Sequence, residues 1–108
     1  MNNNWIENKC IMEAKVNKML KSVGMTSFIH LYPILKENLE VTIEDIAAKI
    51  PEFGEYELSS QRTKLSKVRS ILKYGWEKNA LLIIAKSEKI DADISKQAKI
   101  YLTKYKTT

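Results

Sequence analysis

Glycine and proline are scarce in this chain, with only three glycines and two prolines among 108 residues. Turns between many short strands draw heavily on these two residue types, so their scarcity argues against a loop-rich or many-stranded fold. Apolar residues instead recur at helical spacing, and 44% of the chain is hydrophobic, as in globular proteins. The sequence predicts a single all-α domain of about five or six helices over residues 1–108, with residues 1–3 and 104–108 frayed.

The first third of the chain predicts two helices. Apolar residues over 4–23 follow one helical stripe, and Gly24 comes where a helix-terminating glycine is common. Thr26 and Ser27 are expected to cap the second helix. Pro33 lies within the second apolar pattern, where it predicts a kink or a split, because proline lacks a backbone donor.

The middle and the end of the chain contain further helix signals. The Thr42 hydroxyl is expected to start a helix by accepting from the backbone near Asp45, with Glu44 and Asp45 in the first turn, and Pro51 is expected to end that helix. Residues 77–86 fit either a helix or a buried strand, because their central apolar run has no clear period. A last helix is expected to be capped by one of the aspartates at 91 and 93.

The net charge of +5 is unevenly distributed along the chain. Residues 1–38 carry five lysines and three acids, a net +2, and residues 39–57 carry one lysine and six acids, a net −5. Residues 58–108 carry twelve basic residues and four acids, a net +8. Within that half, residues 58–76 contain five basic residues and no acid.

This acid-free stretch predicts a helix over about 61–75, capped by Ser59 and Ser60, with one basic and hydroxyl-rich face. Its core side is expected to hold Leu65, Val68, Leu72 and Trp76. Lysine and arginine neutralise phosphates, and hydroxyls donate hydrogen bonds to phosphate oxygens. The candidate nucleic-acid-binding residues are Ser60, Gln61, Arg62, Thr63, Lys64, Ser66, Lys67, Arg69, Ser70, Lys73 and Tyr74.

Both arginines of the chain lie on this predicted helix, against sixteen lysines overall. Arg62 and Arg69 are seven residues apart, which places them on the same face. Their planar guanidinium groups suit a phosphate or a base edge better than an ammonium does. An ion pair between these arginines and the acidic stretch at 39–57 is the competing explanation.

Residues 42–72 resemble a helix-turn-helix DNA-binding module. The stretch TIEDIAAKI, with small Ala47 at the expected helix crossing, is similar to the first helix of many bacterial repressors. The stretch SSQRTKLSKVRSIL would then be the recognition helix, and the resemblance implies that its first residues contact base edges. It also implies a small bacterial, phage or plasmid protein that acts in transcription regulation.

Catalysis, metals and cofactors are not expected. The chain has one histidine, His30, and one cysteine, Cys10, too few for the usual zinc ligand sets. Two pairs of closely spaced acids, Glu44 with Asp45 and Asp91 with Asp93, fall where helix starts are predicted. Capping therefore explains these pairs better than catalysis does. A lone cysteine, with no visible signal peptide and no apolar run of bilayer length, predicts a cytoplasmic protein that does not bind membranes.

The sequence therefore predicts a DNA-binding protein. The alternative is a non-catalytic interaction module, which either forms oligomers with itself or binds an acidic protein partner as an inhibitor. Such a module would use the basic helix and the acidic segment at 39–57, because opposite charges on two surfaces promote association.

Overall fold

A computed structural model describes residues 4–106, with side chains described for 11–104, and this part of the chain is all-α. Its seven helices are α1 (Asn4–Val23), α2 (Met25–Glu37), α3 (Ile43–Lys49), α4 (Pro51–Gly54), α5 (Leu58–Lys73), α6 (Glu77–Lys86) and α7 (Ala92–Lys106). The all-α prediction is confirmed, and the helix beyond the expected number is the single turn α4. Residues 104–106, expected to be frayed, belong to α7, while 1–3 and 107–108 lie outside the described residues.

Helix α5 is the centre of the fold, because it packs against α1, α2, α3, α4 and α6. Helices α6 and α7 form a closely packed pair that contacts α1 and α2. The largest fully buried side chains are contributed by five of the seven helices, α1, α2, α3, α5 and α6, and burying each of them stabilises the fold by about 1.5–3 kcal/mol. They are Val16, Leu20, Val23, Phe28, Leu31, Leu35, Ile46, Val68, Ile71, Leu81 and Ile84. Helix α7 adds the small buried side chain of Ala98.

The corner between α1 and α2 consists of one residue, Gly24. Its φ of +89° is a conformation that side chains disfavour, and its N–H donates to the carbonyl of Leu20 at 2.7 Å. The predicted glycine C-cap is confirmed. The caps expected from Thr26 and Ser27 are wrong, because α2 already begins at Met25 and has no side-chain cap.

Pro33 does not split α2, which continues from Met25 to Glu37. The proline side chain is exposed, so the backbone hydrogen bond that it cannot make lies on the solvent side of the helix. The other side of α2 supplies Phe28, Leu31 and Leu35 to the core. Burial of that stripe outweighs the cost of one missing bond, and the prediction of a split is wrong.

The predicted Thr42 cap at the start of α3 is confirmed, and a second bond completes a capping box. The Thr42 hydroxyl accepts from the Asp45 N–H at 3.2 Å, and the Asp45 carboxylate accepts from the Thr42 N–H at 3.4 Å. Helix α3 ends at Lys49, and Pro51 begins α4, so the predicted stop is also confirmed. The chain between α3 and α5 therefore contains a helical turn of its own.

Residues 77–86 form helix α6, which resolves the ambiguity between helix and strand. Ala80, Leu81, Ile84 and Ala85 are buried, and their spacing gives one continuous face on a helix. Helix α7 begins directly after Asp91, whose carbonyl accepts from the N–H groups of its first turn. No helix of the described residues is long and apolar enough to cross a membrane.

Candidate nucleic-acid interface

Helix α5 begins earlier than the hydroxyl caps predict. Leu58 is its first residue, Glu57 precedes it, and no side chain caps the end. Ser59 and Ser60 lie within the first turn, so the predicted caps are wrong. The first intrahelical bond runs from the Gln61 N–H to the Glu57 carbonyl at 3.0 Å, which makes Glu57 the residue at the N-cap position.

The buried side of α5 is shifted relative to the predicted stripe. Leu65 and Val68 are buried as expected, but Leu72 and Trp76 are only half-buried. Ile71, which the predicted stripe omits, is fully buried. This rotation brings the neighbouring position, Lys64, towards the protein rather than towards solvent.

Gln61, a predicted binding residue, is buried and engaged within the fold. Its side-chain amide donates to the carbonyls of Gly54 and Tyr56 at 3.3 and 2.7 Å. These bonds hold the turn between α4 and α5. A signal for this role exists in the sequence, because Gln61 lies four and seven residues before Leu65 and Val68, on their stripe.

Lys64 is half-buried and serves the corner between α1 and α2. Its ammonium donates to the carbonyl of Val23, the last residue of α1, and to the Ser27 hydroxyl at 3.4 Å. The ammonium also lies 4.7 Å from the centre of the Tyr56 ring. A cation at a helix C-terminus satisfies a free carbonyl and the negative end of the helix dipole.

Arg69 is half-buried against the loop between α2 and α3. Its Nε donates to the Leu39 carbonyl at 2.7 Å, and its Nη2 donates to the Val41 carbonyl at 2.9 Å. The planar fork is therefore used, as the choice of arginine indicates, but on the protein's own backbone. Its partners lie in the acidic stretch, yet they are carbonyls and not carboxylates.

The remaining candidates stay on the outside of α5. Arg62, Thr63, Ser66, Lys73 and Tyr74 are exposed, and Ser60, Lys67 and Ser70 are half-buried. At 3.6 residues per turn, the hydroxyls at 63, 66 and 70 occupy the middle of the outer side, with Arg62 and Lys73 along one edge and Lys67 along the other. We call this surface the α5 face; its members are Arg62, Thr63, Ser66, Lys67, Ser70 and Lys73.

The cations of the α5 face have no acidic partner within the part of the chain that the structure describes. This differs from an ordinary exposed helix, where opposite charges at i and i+4 support one another. Arg62, Lys67 and Lys73 therefore present three positive charges that the described fold does not neutralise.

The N-terminal end of α5 has the opposite charge. Glu52, Glu55 and Glu57 precede it and are all exposed. A helix-turn-helix protein places this end of its recognition helix against the bases, but three acids there would repel phosphates. The charge distribution therefore favours DNA contact along the side of α5 over DNA contact at its N-terminal end.

The connection between α3 and α5 also differs from an orthodox turn. Helix α4 lies within it, and α3 packs mainly on α4. The close approach at small Ala47 is to Gly54 of α4, where an added Cβ would lie 3.2 Å from the Ala47 Cβ. The resemblance assigns Ala47 to the crossing of α3 and α5, but in the structure Ala47 packs against α4.

The other groups singled out for possible chemistry are dispersed. His30 is exposed on α2, beside a cleft of about 720 Å³ that Glu52 and Asp93 also line. Among the described residues, no three histidine, cysteine or acidic side chains are grouped to hold a metal ion. The Cys10 side chain lies outside the described set.

Comparison of the chain with protein-family models, with curated proteins and with solved structures found no match. The helix-turn-helix resemblance thus stays a prediction.

Proposed function

We propose that this protein binds DNA through the α5 face, as a small regulator without catalytic activity. The observation that carries the proposal is the separation of the cations on α5 into two sets. Lys64 and Arg69 donate to backbone carbonyls, whereas Arg62, Lys67 and Lys73 flank a row of hydroxyls on the solvent side. Uncompensated cations beside hydroxyl donors form the chemistry that holds a phosphate backbone.

The dimensions of the α5 face suit a nucleic-acid strand. Arg62 and Lys73 are eleven residues apart, or about 16 Å along the helix axis at 1.5 Å per residue. Phosphates rise by about 3.4 Å per nucleotide along one strand of B-DNA, so the two cations span about five nucleotides. Docking through the side of α5 also keeps the acidic N-terminal end away from the backbone.

Salt-dependent binding to a duplex tests the proposal. Anisotropy of a labelled 20-base-pair duplex is titrated between 50 and 200 mM salt with the wild type and with the triple variant Arg62→Gln, Lys67→Gln and Lys73→Gln. If each cation neutralises one phosphate, the triple variant lowers the slope of log K against log salt by up to about 2.7, since each contact contributes about 0.9.

A matched control removes the same charge elsewhere. Lys15, Lys18 and Lys21 are exposed on α1, and their triple change to glutamine alters net charge equally. The control is expected to lower the slope by less than the α5 triple variant does. Absence of binding to both duplex and single-stranded DNA at 50 mM salt, or an equal loss in the two triple variants, would overturn the proposal.

Self-association is the second candidate, and one observation favours it. All six acids of residues 39–57 are exposed, so this segment presents a strongly negative surface on the same protein as the α5 face. The two surfaces of separate copies have opposite charge. Sedimentation at rising protein concentration tests this candidate, and a species of 12.5 kDa at every concentration would exclude it.

A further inference from the structure

An aromatic pair lies at the C-terminal end of the α5 face. The rings of Tyr74 and Trp76 are stacked, with centroids 4.7 Å apart and planes 27° from parallel. Trp76 is half-buried and packs against the core, whereas Tyr74 is 63% exposed. One side of the Tyr74 ring thus rests on Trp76, and its exposure leaves the ring accessible to solvent.

The backbone fixes this pair in place. The N–H of Gly75 donates to the Leu72 carbonyl at 3.1 Å, and the N–H of Trp76 donates to the Ile71 carbonyl at 2.9 Å. With Gly75 at a φ of +75°, these bonds make a Schellman motif, which ends a helix in one defined geometry. Tyr74 is therefore carried on an ordered helix end and needs little further ordering to hold a ligand.

Positive charge accompanies the pair. Lys73 precedes Tyr74 and belongs to the α5 face, and Lys78 is exposed two residues beyond Trp76, whereas the acid between Trp76 and Lys78, Glu77, is half-buried. A strand whose phosphates follow the α5 face would reach the Tyr74 ring at its end. An aromatic ring beside a row of cations is the arrangement by which proteins hold unpaired bases, because every base has a π-face that can stack.

We infer that Tyr74, supported by Trp76, is a stacking platform for an unpaired base, and that the α5 face holds single-stranded DNA more tightly than duplex. This inference rests on the proposed function and specifies the form of nucleic acid that the same surface takes. Trp76 has a packing role that explains its position. Tyr74 is not buried in this way, so packing in the core does not explain why an aromatic ring is exposed at this position.

Single-site variants of Tyr74 distinguish the effect of its aromatic ring from the effect of its side-chain size. Anisotropy measures binding of a labelled 12-nucleotide oligothymidylate and of a 12-base-pair duplex to the wild type, Tyr74→Phe and Tyr74→Leu. Phenylalanine keeps the aromatic face, and leucine keeps an apolar side chain without it. Tyr74→Leu is expected to weaken oligothymidylate binding at least about fivefold, while Tyr74→Phe binds it as the wild type does and duplex binding is unchanged.

The outcomes distinguish this inference from the proposed function. If Tyr74→Leu binds oligothymidylate like the wild type, or if the wild type prefers the duplex, the platform is disproved. The proposed function still stands if the triple variant of the α5 face loses duplex binding. If neither nucleic acid binds at 50 mM salt, both fail. Unchanged thermal melting of Tyr74→Leu by circular dichroism excludes unfolding as the cause of weaker binding.

Discussion

Arg62 and Arg69 are the two arginines of this protein, and they lie seven residues apart on one helix in opposite environments. Arg62 is exposed, whereas Arg69 is half-buried and donates two hydrogen bonds to the loop before α3. Lys64 and Lys67 are both half-buried, but Lys64 donates to the Val23 carbonyl, whereas Lys67 has no hydrogen-bond partner among the described residues. The formal charge of a helix is therefore larger than the charge that it presents to a ligand, because some of its cations are bound to backbone carbonyls of the fold.

Arg69→Ala and Arg62→Ala make the sharpest test of this difference. Arg69→Ala removes both donors to the carbonyls of Leu39 and Val41, and hydrogen bonds from a charged group contribute about 1.5–3 kcal/mol each. Because Arg69 is half-buried and water can replace part of the lost bonding, we expect the free energy of unfolding in urea to fall by about 2–3 kcal/mol for Arg69→Ala, less than the sum of two such bonds. For Arg62→Ala we expect a change of less than about 0.5 kcal/mol. Equal losses would remove the distinction between anchored and free arginines.

Lys64→Met and Lys67→Met repeat the test on the lysines with a smaller expected effect. Methionine keeps most of the side-chain length, so Lys64→Met mainly removes the donor to the Val23 carbonyl and the contact with the Tyr56 ring. Urea denaturation is expected to show a loss of about 1–2 kcal/mol for Lys64→Met and little change for Lys67→Met. A larger loss for Lys67→Met would mean that the wrong lysine has been assigned to the corner.

The hydroxyls of Thr42 and Ser59 differ in a similar way, because Thr42 caps a helix and Ser59 does not. Thr42→Ala removes half of the capping box of α3 and is expected to cost about 1 kcal/mol in thermal or urea unfolding. Ser59→Ala, within the first turn of α5 but without a capping bond, should cost less than about 0.5 kcal/mol. If Ser59→Ala proves the costlier change, Ser59 caps α5 in solution after all.

The smallest effect is expected in the salt dependence of DNA binding by single variants. Lys73→Gln should lower the slope of log K against log salt by about 0.9, the contribution of one phosphate contact. Arg69→Gln removes a charge of the same size but should leave the slope unchanged, because the Arg69 guanidinium donates to two backbone carbonyls; its unfolding midpoint falls because the fork is lost. A slope that falls with Arg69→Gln would place Arg69 in the interface.

Much of the fold could be predicted from local patterns. The extent of α1, the glycine corner, the capping box at Thr42 and the stop at Pro51 depend on residues close to one another in the chain. The misplaced caps at 26–27 and 59–60 share one cause. Each helix begins one residue before its first hydroxyl, with Gly24 and Glu57 at the N-cap positions, so the hydroxyls lie inside the first turn.

The roles of the basic residues could not be predicted in the same way. Whether Arg69 faces a ligand or a carbonyl depends on the loop that packs beside it, and that loop is 28–30 residues away in the chain. For Lys64 a partial signal was present. Lys64, Val68 and Ile71 share one helical stripe, so including Ile71 among the core residues would have turned Lys64 inwards.

The carbonyls that Lys64 and Arg69 satisfy all precede α5 in the chain. Lys64 is 41 residues from Val23, and Arg69 is 30 residues from Leu39. During synthesis the N-terminal part of a domain emerges first, so the corner at Gly24 and the loop before α3 leave the ribosome before the two cations of α5 that donate to them. Helix α5 therefore completes two earlier junctions when it docks, and a nascent chain that ends at Glu57 has the three acceptor carbonyls without either cation.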